Sequence, residues 1–219
     1  GMHIVASNKI AAAGPLRQWS ALQSELRERK KTFRFETNVG AALPIVDAME
    51  KMRITGDRID RIEAVLSGSL NFIFSQMESG STFEEAVLGA KERGYTEPDP
   101  RLDLSGEDVA RKILILARLT GAEMDMSQVE NTRFLPDEAF VMSPDDFMST
   151  LANYNGLFAS EEPGVWRFVA TFEAGHAAVG LKRLPLSHPF ATLQGSDNQI
   201  RLHTLRYADA PMVIQGSGA

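Results

Sequence analysis

The 219-residue chain carries 23 Lys and Arg against 29 Asp and Glu, a net charge of −6. That balance argues against a nucleic-acid partner, whose phosphates need a basic surplus. With 43% hydrophobic and 24% charged residues the composition is globular, no apolar stretch approaches the roughly 18 residues of a membrane span, and no basic-then-apolar leader opens the chain, so a soluble cytoplasmic protein with no membrane partner is expected. The lack of cysteine excludes disulfides, thiolate nucleophiles and iron–sulfur sites. The four histidines, His3, His176, His188 and His203, lack the spacing of a helical zinc pair.

In chain order, residues 2–6 read as a short buried strand and residues 19–31 as an amphipathic, heavily charged helix. A strand and helix with no preceding partner look like half of an α/β unit. Residues 32–36 alternate as a strand, and a small-residue turn over 38–44 leads into a helix at 45–52. An extended segment at 58–66 precedes a helix that starts at Ser67-Gly68-Ser69 and carries Leu70, Ile73, Phe74 and Met77 on one side. Residues 81–93 form the next helix, with Ser81 as its cap, Glu84 reciprocating and Gly94 closing it. After the loop 95–105 comes the best-defined helix, 107–120, ended by Gly121, with Ser105 as its cap and Asp108 reciprocating.

The second half predicts a helix over 144–158, strands at 166–172 and 176–184, and extended segments at 199–207 and 212–215. Trp166 reads as a packing residue, like the methionines and Phe72, Phe74 and Phe83 at core spacing. Irregular alternation of helix and strand implies an α+β (mixed α/β) fold. The chain stops at Gln215-Gly216-Ser217-Gly218-Ala219, straight after a strand-like Met-Val-Ile, where a helix or phosphate loop usually opens. Both ends are therefore expected to be cut from a longer α/β protein.

Charge placement singles out a few positions. Glu97, Asp99 and Asp103 lie in a loop stiffened by Pro98 and Pro100. On the following helix, Asp108 and Lys112 share a stripe with Ile115 and Leu119, while Glu107, Arg111 and Arg118 form the solvated face. An amine beside apolar packing and an acid has a tunable pKa, although an exposed pair four residues apart is the commoner arrangement. Asn8-Lys9 follows the first strand, at the strand end where α/β sheets bind ligands; a solvated loop lysine is the plain alternative. Glu36 and the carbonyls of residues 38–44 suit a hard cation, or a tight packing turn. Ser67-Gly68-Ser69 offers N–H groups and hydroxyls to a carboxylate, or simply caps its helix.

The stretch 94–112, Gly-Tyr-Thr-Glu-Pro-Asp-Pro-Arg-Leu-Asp-Leu-Ser-Gly-Glu-Asp-Val-Ala-Arg-Lys, closely resembles the signature of homoserine dehydrogenase. Supporting motifs follow in the same order: Ser7-Asn8-Lys9, residues 35–44, residues 66–73, Asp197-Asn198 and residues 216–219. The similarity runs over essentially the whole chain, and its wording is most like the aspartokinase-fused form.

The resemblance implies NADP- or NAD-dependent interconversion of L-homoserine and L-aspartate 4-semialdehyde, in threonine and methionine biosynthesis, by a homodimer. By the same analogy Lys112 is the proton donor with Asp108 beside it, and Lys9 assists at the carbonyl. Glu97 and Asp103 hold the substrate ammonium, while Tyr95, Gly68 and Ser69 orient it. Asn8, Gly216, Gly218 and Ala219 border the cofactor, and Glu36 with Val39, Ala41 and Leu43 resembles a monovalent-cation site for sodium.

Two departures from the pattern stand out: Leu102 where many relatives carry aspartate, and no Gly-x-Gly-x-x-Gly phosphate loop anywhere in the 219 residues. The expected organisation is a nucleotide-domain edge at 1–31, a catalytic and dimerisation domain at 32–204 with a central sheet covered by helices, and a return to a truncated Rossmann-type domain at 205–219. Such a chain is expected to be inactive alone. The competing readings are a non-catalytic dimerisation or cation-binding scaffold, and an amino-acid dehydrogenase with another substrate.

Overall fold

Strand pairing sorts the chain into two sheets. The computed structural model describes residues 1–160 and 162–218. In chain order it runs β1 (Ile4–Val5), α1 (Leu16–Glu28), β2 (Phe33–Arg34), α2 (Ile45–Ile54), β3 (Ile59–Val65), α3 (Gly68–Glu78), α4 (Phe83–Glu92), α5 (Arg101–Leu104) and α6 (Glu107–Leu119). There follow β4 (Val129–Thr132), α7 (Glu138–Val141), α8 (Pro144–Thr150), β5 (Val165–Glu173), β6 (His176–Leu184), β7 (Asp197–Thr204) and β8 (Met212–Ser217). No helix among the described residues is long and apolar enough to cross a membrane.

The main sheet has the order β4-β6-β5-β3-β7-β8, antiparallel except for the parallel β4–β6 pair. In β3, Ile62 and Ala64 are completely buried and face the helical layer, where α3 packs on β5 and β7 and α6 packs across β4, β5 and β6. The opposite face has a small separate core, Val65, Val165, Val169, Leu184, Phe190 and Leu193, under the segment 185–196. This is the mixed α/β class that the sequence implies. β1 and β2 form a parallel pair of their own, joined by α1 as a crossover helix, which parallel strands require. Pairing runs across both expected domain boundaries, since β2 joins β1 and β8 joins β7.

Several local expectations are corrected. β1 is a strand but not a buried one: Ile4 is 42% and Val5 83% exposed, because β2 is its one sheet neighbour. α1 begins at Leu16, directly after Pro15, and stops by Lys30, whose φ of 51° is left-handed. Its N-terminus is capped from a distance, with the Leu16 N–H donating to Asp125 at 2.6 Å. Thr82 rather than Ser81 caps α4 and Glu85 reciprocates, so the capping box sits one residue later than expected. The helix expected over 144–158 survives only to Thr150 and continues as 3-10 turns, Leu151–Phe158, where Asn153, Asn155 and Gly156 are poor helix formers. β4 has no counterpart in the sequence reading because it is a short, polar edge strand.

Arg118 departs furthest from its expected place on the solvated face. It is 7% exposed, and its guanidinium donates to the carbonyls of Met124 and Ala12 at 2.8–3.0 Å. Arg167 is fully buried in β5. It donates to the carbonyls of Phe190 and Leu193 at 3.0 and 2.9 Å, and it pairs with Glu78. One guanidinium thus joins the end of α3 to the segment covering the second sheet face. Because a buried charge is strongly costly once its partner is removed, Arg167→Ala is expected to lose about 3 kcal/mol of unfolding free energy in urea titration. The double variant Arg167→Met, Glu78→Gln is expected to recover much of that loss.

Candidate active site

The carboxyl end of β3 meets the start of α3 at Ser67, whose hydroxyl accepts the Leu70 N–H at 3.2 Å as a helix cap. Ser67 lies 3.0 Å from the Ser69 hydroxyl, which donates at 2.9 Å to Asp103 on α5. The other Asp103 oxygen accepts the Glu97 N–H at 2.8 Å. Burial pushes the Asp103 carboxyl above the usual range, with Glu97 and Asp108 adding to the rise and the Glu97 and Ser69 bonds opposing it.

The three loop acids therefore differ. Asp99 is engaged by a two-pronged bond from Arg101, at 2.9 and 2.7 Å, and the guanidinium holds its carboxyl below the usual range. Arg101 also donates to the Met142 carbonyl, so this fork as well as the two prolines fixes the loop. The Glu97 carboxylate alone of the three has no partner among the described residues, and it faces the same groove as Lys9 and Asp108.

On α6, Lys112 donates to the Leu66 carbonyl at 2.7 Å and pairs with one Asp108 oxygen at 2.9 Å, while Lys9 pairs with the other at 3.0 Å. Burial acts to raise the Asp108 carboxyl, but the two ammonium groups outweigh it and hold the group below its usual range. Asp108 was expected to reciprocate a cap with Ser105. The N-cap is instead Gly106, at φ 72°, with the Phe168 ring where a Cβ would stand. Ser105 donates its hydroxyl to the Leu102 carbonyl and accepts the Glu107 N–H at 3.3 Å, so it still serves the first turn of α6, while Asp108 pairs with the two lysines.

A cavity of about 150 Å³ collects Ser67, Gly68, Ser69, Tyr95, Asp103, Asp108 and Lys112, with Gly218 at its edge. It shares Asp103 and Asp108 with a groove of about 560 Å³ that adds Glu97, Lys9 and the exposed Leu102. A second groove, about 480 Å³, runs past Asn8, Lys9, Ile10 and Arg111. The expected catalytic and substrate residues thus converge. Of the residues expected near the cofactor, Asn8 lines the second groove and accepts the Ile10 N–H at 2.7 Å. Gly218 packs so closely on Ser196 that an added Cβ would stand 2.5 Å from its carbonyl oxygen. Gly216 sits within β8 opposite Asn198, and Ala219 lies outside the described residues.

The expected cation turn is separate from this cavity. Both Glu36 oxygens accept N–H groups of α2, from Val46 at 2.7 Å and Asp47 at 2.9 Å, so its carboxylate caps a helix. The Leu43 carbonyl accepts the Ile45 N–H, whereas among the described residues the Val39 and Ala41 carbonyls accept no hydrogen bond. The sequence reading missed the Asp99–Arg101 fork and the Leu66 carbonyl, whereas the Ser67 cap that it offered is present. Only the first has a sequence signal, opposite charges two residues apart in a proline-rich loop.

The family model described as homoserine dehydrogenase matches residues 44–219. The chain belongs to the homoserine dehydrogenase family. It is 40% identical over 228 residues to the maize (Zea mays) bifunctional aspartokinase/homoserine dehydrogenase 2, all of this chain matching 25% of that protein. Against homoserine dehydrogenase of Saccharomyces cerevisiae it is 37% identical over 238 residues, all of the chain matching 64% of the relative. A Candida auris protein of unknown function shares the fold at a TM-score of 0.92 and 34% identity, over 99% of this chain and 64% of that one. The chain thus spans between a quarter and two thirds of the length of these relatives.

The depressed Asp108 carboxyl gives a signed prediction. A lowered folded-state pKa contributes stability above the unperturbed value, 3.8, that is lost as pH falls through the folded value. Asp108→Asn is expected to lower stability by about 1 kcal/mol or less at neutral pH, because the pair is half-exposed, and to match wild type in strong acid. Thermal unfolding across that pH range measures both.

Proposed function

We propose that this chain carries the substrate-binding and proton-transfer half of an enzyme that interconverts L-homoserine and L-aspartate 4-semialdehyde. The observation that carries the reading is the Asp108 carboxylate shared between Lys9 and Lys112 at the wall of a cavity closed by Asp103. Reduction of the aldehyde builds negative charge on its oxygen, and Lys112 Nζ supplies the proton there, while Lys9 polarises the same oxygen. Glu97 and Asp103 take the substrate ammonium, and the first-turn N–H groups of α3 around Gly68 and Ser69, with Tyr95, orient the rest of the molecule.

The second groove fits the nicotinamide end of NADP or NAD: apolar Ile10 and Ala13, the Asn8 amide and the cations Lys9 and Arg111 meet the substrate cavity at Asp108. Bound there, the cofactor supplies or accepts the hydride. Asn8, Gly216, Gly218 and Ala219 are the residues of this chain assigned to its border. Residues 32–204 supply the catalytic and dimerisation part, with 1–31 and 205–219 bordering a nucleotide-binding domain.

The turn 36–43 suits a monovalent cation through the carbonyls of Val39, Ala41 and Leu43, with Glu36 beside them. The unsatisfied Val39 and Ala41 carbonyls and the unpartnered, buried Asn38 Oδ1 support it. The same reading extends to a homodimer, for which sedimentation should give twice the chain mass.

In the full-length protein Lys112→Ala is expected to lower kcat about 10²–10⁴-fold with the unfolding midpoint little changed. A loss below about five-fold would sink the reading in favour of a non-catalytic scaffold.

A further inference from the structure

Each serine hydroxyl has one proton, and that fixes the direction of the bonds at the cavity wall. Ser69 gives its proton to Asp103 Oδ1, so between the two serines Ser67 must be the donor. Ser67 in turn accepts the Leu70 N–H. The result is a one-way chain of donors, Leu70 N–H to Ser67 to Ser69 to Asp103, that starts at the N-terminus of the eleven-residue helix α3 and ends on a carboxylate. Such chains polarise along their length, and this one runs with the helix dipole. Both serines are buried, at 9% and 8% exposure, and both line the cavity.

The chain works in one sense only. If a proton on Asp103 were donated back through Ser69, the Ser67 proton would have no other acceptor among the described residues.

We propose that Ser67, which lines the cavity but reaches Asp103 only through Ser69, is a positioning residue that keeps Asp103 an ionised, doubly held acceptor for the substrate ammonium. The inference rests on the function proposed above and deepens it. Burial in this cavity works against an ionised Asp103, as do Glu97 from its own loop and Asp108 from α6, while Lys112 and Tyr95 line the same space. Ser67 opposes the burial through the Ser69 hydroxyl rather than by a bond of its own to Asp103, and its role is separable from its capping of α3 because glycine also tolerates the N-cap position.

The test uses the full-length protein with carbon-13-labelled aspartate, the Asp103 carboxyl signal being assigned with Asp103→Asn. In Ser67→Gly and Ser67→Ala, which keep the Ser69–Asp103 bond but remove its polarisation, the Asp103 titration midpoint is expected to rise by about 0.3–0.5 pH unit. KM for homoserine near that midpoint should rise about two-fold while kcat is unchanged. Ser67→Thr, which keeps the hydroxyl, should restore both. An unchanged midpoint in the glycine and alanine variants, or a threonine variant as impaired as glycine, overturns the proposal. If the wild-type protein ignores homoserine altogether, the proposed substrate is wrong, yet the carboxyl titration still judges the Ser67 relay.

Discussion

One carboxylate shared by two ammonium groups holds this site together. Asp108 lies in the first turn of α6, where a negative charge is favoured by the helix dipole, and it takes Lys112 from the next turn and Lys9 from the far side of the cavity. Two cations this close would repel each other, and the carboxylate between them makes the arrangement tolerable. It also explains why an aspartate with a partly buried side chain stays ionised. The Leu66 carbonyl takes another Lys112 proton, so the ammonium is held from two directions before any ligand arrives.

The rest of the fold repeatedly satisfies helix ends with side chains from elsewhere in the chain. Glu36 caps α2, Asp125 caps α1, and Asn155 accepts the Glu84 N–H at the start of α4. Each such bond serves two purposes, since it removes the cost of an unpaired N–H group and fixes one segment against another. At the cavity the device takes its longest form, with the start of α3 connected through two hydroxyls to a carboxylate on a different helix.

What was legible in the sequence was mostly what depends on local periodicity and spacing. The stripe of Asp108, Lys112, Ile115 and Leu119 follows from helical geometry, and the convergence of Glu97, Asp103 and Lys112 was implied by the motif they share. What was hidden depends on long-range partners. Arg118 is spaced like a solvent-facing residue, and only the arrival of the Met124 and Ala12 carbonyls makes it internal. Glu36 beside a carbonyl-rich turn suggested a cation, yet its carboxylate is taken by N–H groups ten and eleven residues away. The cap of α6 was misread because Ser105 is a better capping residue than Gly106 by type, and the Phe168 ring that excludes any side chain there comes from a distant strand.

Buried Arg118 also anchors the N-terminal segment. Near one end of α6 Lys9 is attached to Asp108; near the other, ten residues and roughly 15 Å along the axis, Ala12 is attached to Arg118. The turn that joins Lys9 to Ala12, closed by the Ala13 N–H on the Lys9 carbonyl, is therefore tied to α6 at both of its ends, and a substitution at Arg118, far from the cavity, bears on the placement of the Lys9 ammonium.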